Sequence, residues 1–387
     1  MSERPPILVF ADDWGRHPSS CQHLIKRVRD DFPVVWVNTV GTRRAKVDGF
    51  TLRRGIEKLR SWRNGLQQVA DRMWVIDVPM LPNASGRLGR FVNGGLLKRG
   101  LRKTLNRLGL SRPIVLTTLP HFWPSISDIE RTGLIYYCVD DFTHWPGADG
   151  ETVRAAERQL LGQSDVVLAA SRELQSRLDG VRPTNYFPHA VDFEHFATAS
   201  EIDPVAEVES LPEPHIGFFG LIYEKLDFRL LRHVAEQFPD ATLVMIGPTS
   251  YCPEDFRRLP NVHFTGAIPY EELPKWIAGC DVLILAYQHD EMTRQVNPLK
   301  LKECLATGKA VVSVNIPEAV QFSPHVRVAN GQTEFVEQIR NALMEAGDSE
   351  RRFERRRLVE GDSWDVRAAE LVRIIDGLAE RRNASAG

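Results

Sequence analysis

Three stretches of the chain carry side chains whose types and spacing can do chemistry. The first is LIYYCVDDFTHW (134–145), where Asp140 and Asp141 close an apolar run. A carboxylate at the end of a buried strand can take the proton of a hydroxyl nucleophile. Either aspartate can instead cap the turn that follows. Asp140 leaves the strand first and is the better placed of the two. His144, in the same loop, reads as a bystander. Asp12, Asp13 and His17, after the first apolar run, are the next candidates for a base.

The second stretch, FFGLIYEKLD (218–227), runs from an apolar segment into Gly220 and then toward a helix. A glycine there lets the backbone approach a ligand closely, and a helix N-terminus offers free N–H groups and the positive end of a dipole. A diphosphate suits such a turn, with Lys225 as counter-charge. The third, QVNPLKLKECLATGKAVVSV (295–314), places Pro298 in the first turn of a helix with Asn297 as its cap and Gly308 closing it. Lys300 falls in that first turn and can reach an anion. Glu303, three residues on, can accept both hydroxyls of a ribose, as acidic residues do in other nucleotide sites. A surface Lys–Glu pair is the plainer alternative.

These residues need strands that end beside helix starts, and the sequence supplies them. Apolar or β-branched runs at 7–11, 34–39, 73–78, 114–119, 134–140 and 166–171 alternate with helical patterns. The same holds for 215–220, 242–247, 262–266, 281–287, 310–314 and 326–329. Most are unbroken apolar runs, the mark of strands buried on both faces of a parallel sheet. The pattern predicts an α/β chain of two doubly wound, Rossmann-like domains facing a central cleft. The spacing assigns 1–196 to the first domain and 215–362 to the second. Residues 197–214, with three prolines and five carboxylates, read as an exposed linker. A helix over 363–387 is expected to cross back onto the first domain.

Length and composition exclude several classes. The chain has 387 residues, 43% of them apolar, and a formal net charge of −2, which disfavours a general nucleic-acid binder. Five scattered cysteines without a CxxC pair argue against a metal site or a disulfide framework. The N-terminal apolar run is too short for a signal peptide, and no run is long enough to span a bilayer. Charge is nonetheless uneven: residues 42–107 hold 16 Lys/Arg against four Asp/Glu. Residues 86–107 carry seven cations, no acid and an apolar stripe of Leu88, Phe91, Val92, Leu96, Leu97, Leu101 and Leu105. An interfacial helix on an anionic membrane surface has this pattern; so does a helix packed on its own sheet with a solvated basic face. The first reading predicts a cytoplasmic protein, peripheral on the inner face of the cell membrane.

The stretches NVHFTGAIPYEELPKWIAGCDVLILAY and NPLKLKECLATGKAVVSVNIPE resemble the donor domain of GT-B glycosyltransferases, especially the bacterial exopolysaccharide and teichuronic-type enzymes. YYCVDD, ERQLLGQSDVVLAASREL and YFPHAVDFEHF are similar to the acceptor domain and interdomain strand of the same group. Together these cover most of 110–320. The resemblance implies a nucleotide sugar, a UDP-sugar first among the candidates, on the C-terminal domain, and no metal or cofactor. It implies a lipid-linked saccharide as acceptor, in cell-surface or extracellular polysaccharide synthesis. By position, Gly220, Lys300 and Glu303 would hold the diphosphate and ribose, and Gly247 and Ile268 would line the base and sugar pocket. Many retaining members carry a second glutamate eight positions before the last; here that position is Gln295. The Asp-Asp pair resembles the base segment of inverting relatives such as the xanthan glucuronosyltransferase, which implies inversion. A sugar-nucleotide epimerase and a catalytically idle scaffold of the same fold are the alternatives.

Overall fold

Runs such as ILVF (7–10) and VLIL (282–285) are apolar at every position, so they are stable only where both faces of a sheet are covered. In the computed structural model, which describes residues 4–15, 19–38, 65–78, 87–145 and 149–386, such runs form the middles of two sheets. The chain divides into two units, Met1–Pro188 with Asp365–Gly387, and His189–Trp364.

The first unit holds β1 (Ile7–Phe10), β2 (Val34–Asn38), β3 (Leu66–Ala70), β4 (Met73–Asp77), β5 (Ile114–Thr117), β6 (Gly133–Cys138), β7 (Val166–Ala169) and β8 (Asn185–Tyr186). Their order is β3-β4-β2-β1-β5-β6-β7-β8, parallel except for the antiparallel β3–β4 pair. Strand order reverses between β1 and β5, the position where such sheets bind ligands at their carboxyl ends. Leu8, Phe10, Val35 and Tyr136 pack in one core with Leu97 and Leu101 of the helix Arg87–Leu108 and with Trp123 and Leu160. The C-terminal helix Trp364–Ala386 joins this unit, with Leu378 against Gly133 and Arg27 pairing with Asp365 at 2.6 Å.

The helix Arg87–Leu108 divides the stripe read from the sequence. Leu97 and Leu101 are buried in the core, whereas Val92 and Leu96 lie exposed with Arg99, Arg102, Lys103 and Arg107. Most of its described apolar area is therefore spent on its own sheet. The part of the basic segment at 42–64 and 79–86, and the side chains of Leu88 and Phe91, lie outside the described residues. Among the described residues no helix is long and apolar enough to cross a membrane.

The second unit holds β9 (His215–Phe219), β10 (Thr242–Ile246), β11 (Val262–Gly266), β12 (Val282–Leu285), β13 (Ala310–Val314) and β14 (Val326–Ala329). They are all parallel, in the order β11-β10-β9-β12-β13-β14, so the reversal falls between β9 and β12. The segment expected as a linker is instead part of this unit. Phe196, Ala199 and Val208 are buried in its core, and the division falls at Pro188 and His189. A few apolar anchors outweigh the polar composition that suggested exposure.

One buried ammonium ties the middle of this unit to both of its ends. Lys302, on the helix Leu299–Thr307, donates to the carbonyl of His189 at 2.7 Å and to Asp362 Oδ2 at 2.6 Å. Burial, reinforced by the Lys302 charge, pushes the His189 imidazole down to about 3, so it stays neutral beside the ammonium. Removing Lys302 takes the donor from the His189 carbonyl, while Asp362, a third exposed, turns to water. Lys302→Ala is expected to lower stability by about 1.5–2 kcal/mol, read as a lower urea midpoint at unchanged slope. An unchanged midpoint would show that water replaces the pair at no cost.

Candidate functional site

The site of the second unit is built on two glycines. Gly220 follows β9 at φ 115° and Gly247 follows β10 at φ 136°, backbone conformations that L side chains rarely adopt. Gly220 N–H donates to the Ile246 carbonyl at 2.8 Å. A Cβ on Gly247 would stand 2.2 Å from the Gly220 carbonyl oxygen, so the two turns touch backbone to backbone. A Cβ on Gly220 would stand 1.9 Å from Lys300 Cε and 2.6 Å from its Nζ. The lysine thus lies across the bare backbone of the first glycine turn.

Lys300 reaches that place from the first turn of the helix Leu299–Thr307. Pro298 is its N-cap residue at φ −71° and ψ 116°, and no side chain caps this end. The leading backbone N–H groups therefore face the same region as the ammonium. Asn297, expected as the cap, sits one residue earlier and is buried, and Pro298, expected in the first turn, is itself the N-cap residue in extended backbone. Gly308 ends the helix in the left-handed region at φ 75°.

Glu303, one turn along, is 8% exposed. Burial pushes its carboxyl up to about 7, against the pull of Lys300 and with a further push from Asp192. It is thus poised to change charge near neutral pH. Lys225, read from the sequence as a counter-charge, is instead committed to Asp290, with Nζ 2.6 Å from Oδ2. Asp290 also caps the helix Glu291–Gln295 through Thr293 N–H at 2.8 Å. Burial alone would raise the Asp290 carboxyl, but Lys225 and Thr293 hold it below its ordinary range. Lys225 is therefore a strut between two loops, joined there by the Gln288 N–H to Lys225 carbonyl bond of 2.8 Å. Ile268, half-buried, follows β11 two residues after Gly266, which pairs with Gly247.

In the first unit, the carboxylates after β6 are both engaged. Asp140 Oδ1 accepts from Asp141 N–H at 2.8 Å and Oδ2 accepts from Trp145 Nε1–H at 2.9 Å. The Asp141 side chain is 1% exposed. Its Oδ1 accepts from Thr143 N–H at 3.0 Å and Oγ1–H at 2.6 Å, and its Oδ2 stands 2.6 Å from His144 Nδ1. Burial alone would raise this carboxyl, but the Thr143 and His144 bonds and the Arg177 charge hold it below the usual range. Either aspartate was expected to meet substrate; the structure leaves His144, at 40% side-chain exposure, as the outward end of the Asp141 pair. The Asp-x-x-His spacing was the signal for it. Asp12 lies after β1, bonded to Ser19 at 2.8 Å and Gln22 at 2.6 Å, and burial raises its carboxyl despite them. His17 lies outside the described residues. Among the described residues no three His, Cys, Asp or Glu side chains gather so as to hold a metal ion.

Residues 213–345, the greater part of the second unit, match the family model of the group 1 glycosyl transferases. Over 228 residues the chain is 27% identical to a protein described as a teichuronic acid biosynthesis glycosyltransferase of Bacillus subtilis. That alignment covers 56% of this chain and 57% of the relative, so the chain matches little more than half of that protein's length. Among solved structures, sucrose-phosphate synthase of Thermosynechococcus elongatus superposes with a TM-score of 0.70 at 14% identity, covering 99% of this chain and 100% of that one. Anabaena HepE, solved in complex with UDP and glucose, gives 0.67 at 14% identity over 96% and 100%. The shared architecture is the GT-B fold.

The raised Glu303 carboxyl has a consequence for stability. Its folded value near 7 lies above the unfolded value near 4.5, so the native state holds the proton more tightly. The stabilisation is complete below the unfolded value and is lost as pH rises through the folded one. Glu303→Gln, which mimics the protonated form, should match the wild type near pH 4.5 and exceed it by about 3 kcal/mol at pH 8. Denaturant midpoints of both proteins across this range are the test; a constant difference would show that Glu303 does not titrate there.

Proposed function

We propose that this GT-B chain is a nucleotide-sugar-dependent glycosyltransferase, with the donor on its second unit and a saccharide as acceptor. The observation that carries the reading is the meeting of Gly220, Gly247 and Lys300 at the strand-order reversal between β9 and β12. That is where doubly wound sheets take nucleotides, and here the turns present backbone, a helix N-terminus and one ammonium to an anion. In this reading Lys300 and the leading N–H groups of Leu299–Thr307 hold the diphosphate and stabilise its charge as it leaves. Glu303, once ionised, accepts the ribose hydroxyls. Gly247 and Ile268 line the base and sugar pocket, Lys225 keeps the adjoining loops in place, and Pro298 and Asn297 present the helix start. UDP is the first candidate nucleotide, since the similar Anabaena protein holds UDP and glucose.

In this reading Asp140 or Asp141, after β6, takes the proton of the acceptor hydroxyl. The acceptor is a lipid-linked saccharide of cell-surface polysaccharide synthesis, a reading supported by the teichuronic-acid relative. The enzyme meets it at the inner face of the cell membrane. There the exposed face of Arg87–Leu108, with Val92 and Leu96 among Arg99, Arg102, Lys103 and Arg107, rests on anionic headgroups. Each such cation is worth about 1 kcal/mol, and the attraction fades within a Debye length.

Two measurements test this reading. Lys300→Ala and Glu303→Ala are each expected to weaken UDP binding at pH 8 by about 1.5–3 kcal/mol, through lost charge-assisted hydrogen bonds. Unchanged affinity by calorimetry in both would remove the site. Sugar release or epimerisation without an acceptor would replace transfer by another reaction. For the membrane, replacing Arg99, Arg102 and Lys103 by Glu should abolish flotation with anionic vesicles at low salt, and wild-type flotation should fail at high salt. Equal recovery with neutral and anionic vesicles would end that part of the reading.

A further inference from the structure

We infer that the second unit holds a binding site for a single small inorganic anion, of the halide class, between Lys309 and Arg352. The site lies at the amino ends of β12 and β13, the opposite end of the sheet from Gly220 and Gly247. It does not depend on the glycosyltransferase reading.

A cavity of about 10 Å³ there is lined by Lys309, Arg352 and Arg355 and by Asp281, Glu345 and Asp348. The three carboxylates are already spent. Asp281 Oδ2 accepts from His215 N–H at 2.7 Å. Asp348 Oδ1 caps the helix Ser349–Arg357, accepting from Glu350 N–H at 3.0 Å and Arg351 N–H at 3.1 Å. Glu345 takes three guanidiniums: that of Arg327, that of Arg351 at 2.6 Å and that of Arg355 at 3.0 Å. With Arg327 and Arg351 included, five cations meet three carboxylates, a surplus of two positive charges.

That surplus falls on Lys309 and Arg352. Lys309 Nζ donates to one neutral acceptor, the Ala278 carbonyl, at 2.7 Å. Among the described residues the Arg352 guanidinium makes no hydrogen bond or ion pair. Its stem crosses the end of the helix Leu299–Thr307, where a Cβ on Gly308 would stand 2.4 Å from Arg352 Cγ. The two cations act on each other: burial holds the Lys309 ammonium below its ordinary range, and the Arg352 charge pushes it further, against the pull of Asp281. The negative end of that helix amounts to about half a charge and is met by Arg355, which donates to the Gly308 carbonyl at 3.2 Å. It does not call for two more cations. Like charges held together in a half-buried place repel, and an anion between them offsets the repulsion.

Size sets the class. A hollow of this volume takes about one water-sized species, so a nucleotide, a phosphate ester or a carboxylic acid does not fit. A water would fill the space without neutralising either cation; a halide ion does both. Bound there, it fastens the helix Ser349–Arg357 to the start of β13.

The test compares thermal unfolding of the full-length chain in sodium chloride, sodium gluconate and sodium sulfate at equal ionic strength. Chloride is expected to raise Tm by about 2–4 °C over gluconate, which is too large to enter. Arg352→Met keeps the stem over Gly308 and removes the charge; it should fold in gluconate and lose the chloride increment. Lys309→Met should lose it as well. Crystals of the wild type grown in sodium bromide should show a bromide anomalous peak between the two cations, a result that needs no variant. Equal Tm in chloride and gluconate, or an increment that survives in Arg352→Met, would overturn the proposal. So would stabilisation by sulfate alone, or a cavity that holds only water in the bromide crystals.

Discussion

The second unit depends on a contact that only bare backbone allows. Gly247 touches the carbonyl of Gly220, and Lys300 lies in the space that a Cβ on Gly220 would fill. A Cβ on Gly247 would collide with the Gly220 backbone, and one on Gly220 would push the end of the Lys300 side chain out of its place. The backbone conformations, at φ 115° and 136°, add a second reason for glycine at both places. The result is an end of the sheet where a helix start, an ammonium and two peptide turns converge, which is electrostatically suited to an anion.

Keeping that helix in place costs the fold something on one side and returns it on the other. Glu303 is buried with its carboxyl pushed up to about 7, so its charged form is held against desolvation. Lys302, the preceding residue, faces elsewhere and is satisfied by the His189 carbonyl and Asp362. The same short helix therefore carries one desolvated carboxyl, Glu303, and one ammonium, Lys302, bonded within the fold. Burying an ionisable group where a ligand is expected is a common trade of stability against function. In the first unit Asp141 is buried and bonded to Thr143 and His144.

Much of this architecture was legible from the chain alone. The twelve apolar runs read as strands all appear as strands, trimmed by up to two residues at their ends. An unbroken apolar run has no stable place except between covered faces, so local composition suffices. β3 and β8 escaped because LQQVA is an exposed edge strand with no apolar run, and Asn185–Tyr186 is only two residues long. The stretch 197–214 packs on the second unit because Ala197, Ala199 and Val208 are single anchors in a polar stretch, and burial of single residues leaves no local period.

Residue types and helix-start signals picked out Gly220, Lys300 and Glu303 as candidates, since a glycine after a strand and a cation in a first helical turn have local meanings. What each side chain faces is not local. Lys225 and Lys300 are the same residue type near similar strand ends, yet Asp290, 65 positions away in sequence, takes one of them and a bare glycine turn receives the other. Asp140, Asp141 and His144 were likewise visible as a cluster. Which oxygen is spent on Thr143, and which ring is left outward, follows from burial and hydrogen-bond direction. The sequence by itself determined the two sheets and the chemical groups at their ends; packing alone decided which of those groups are already satisfied and which remain to act, because satisfaction depends on partners that only the folded chain brings within bonding distance.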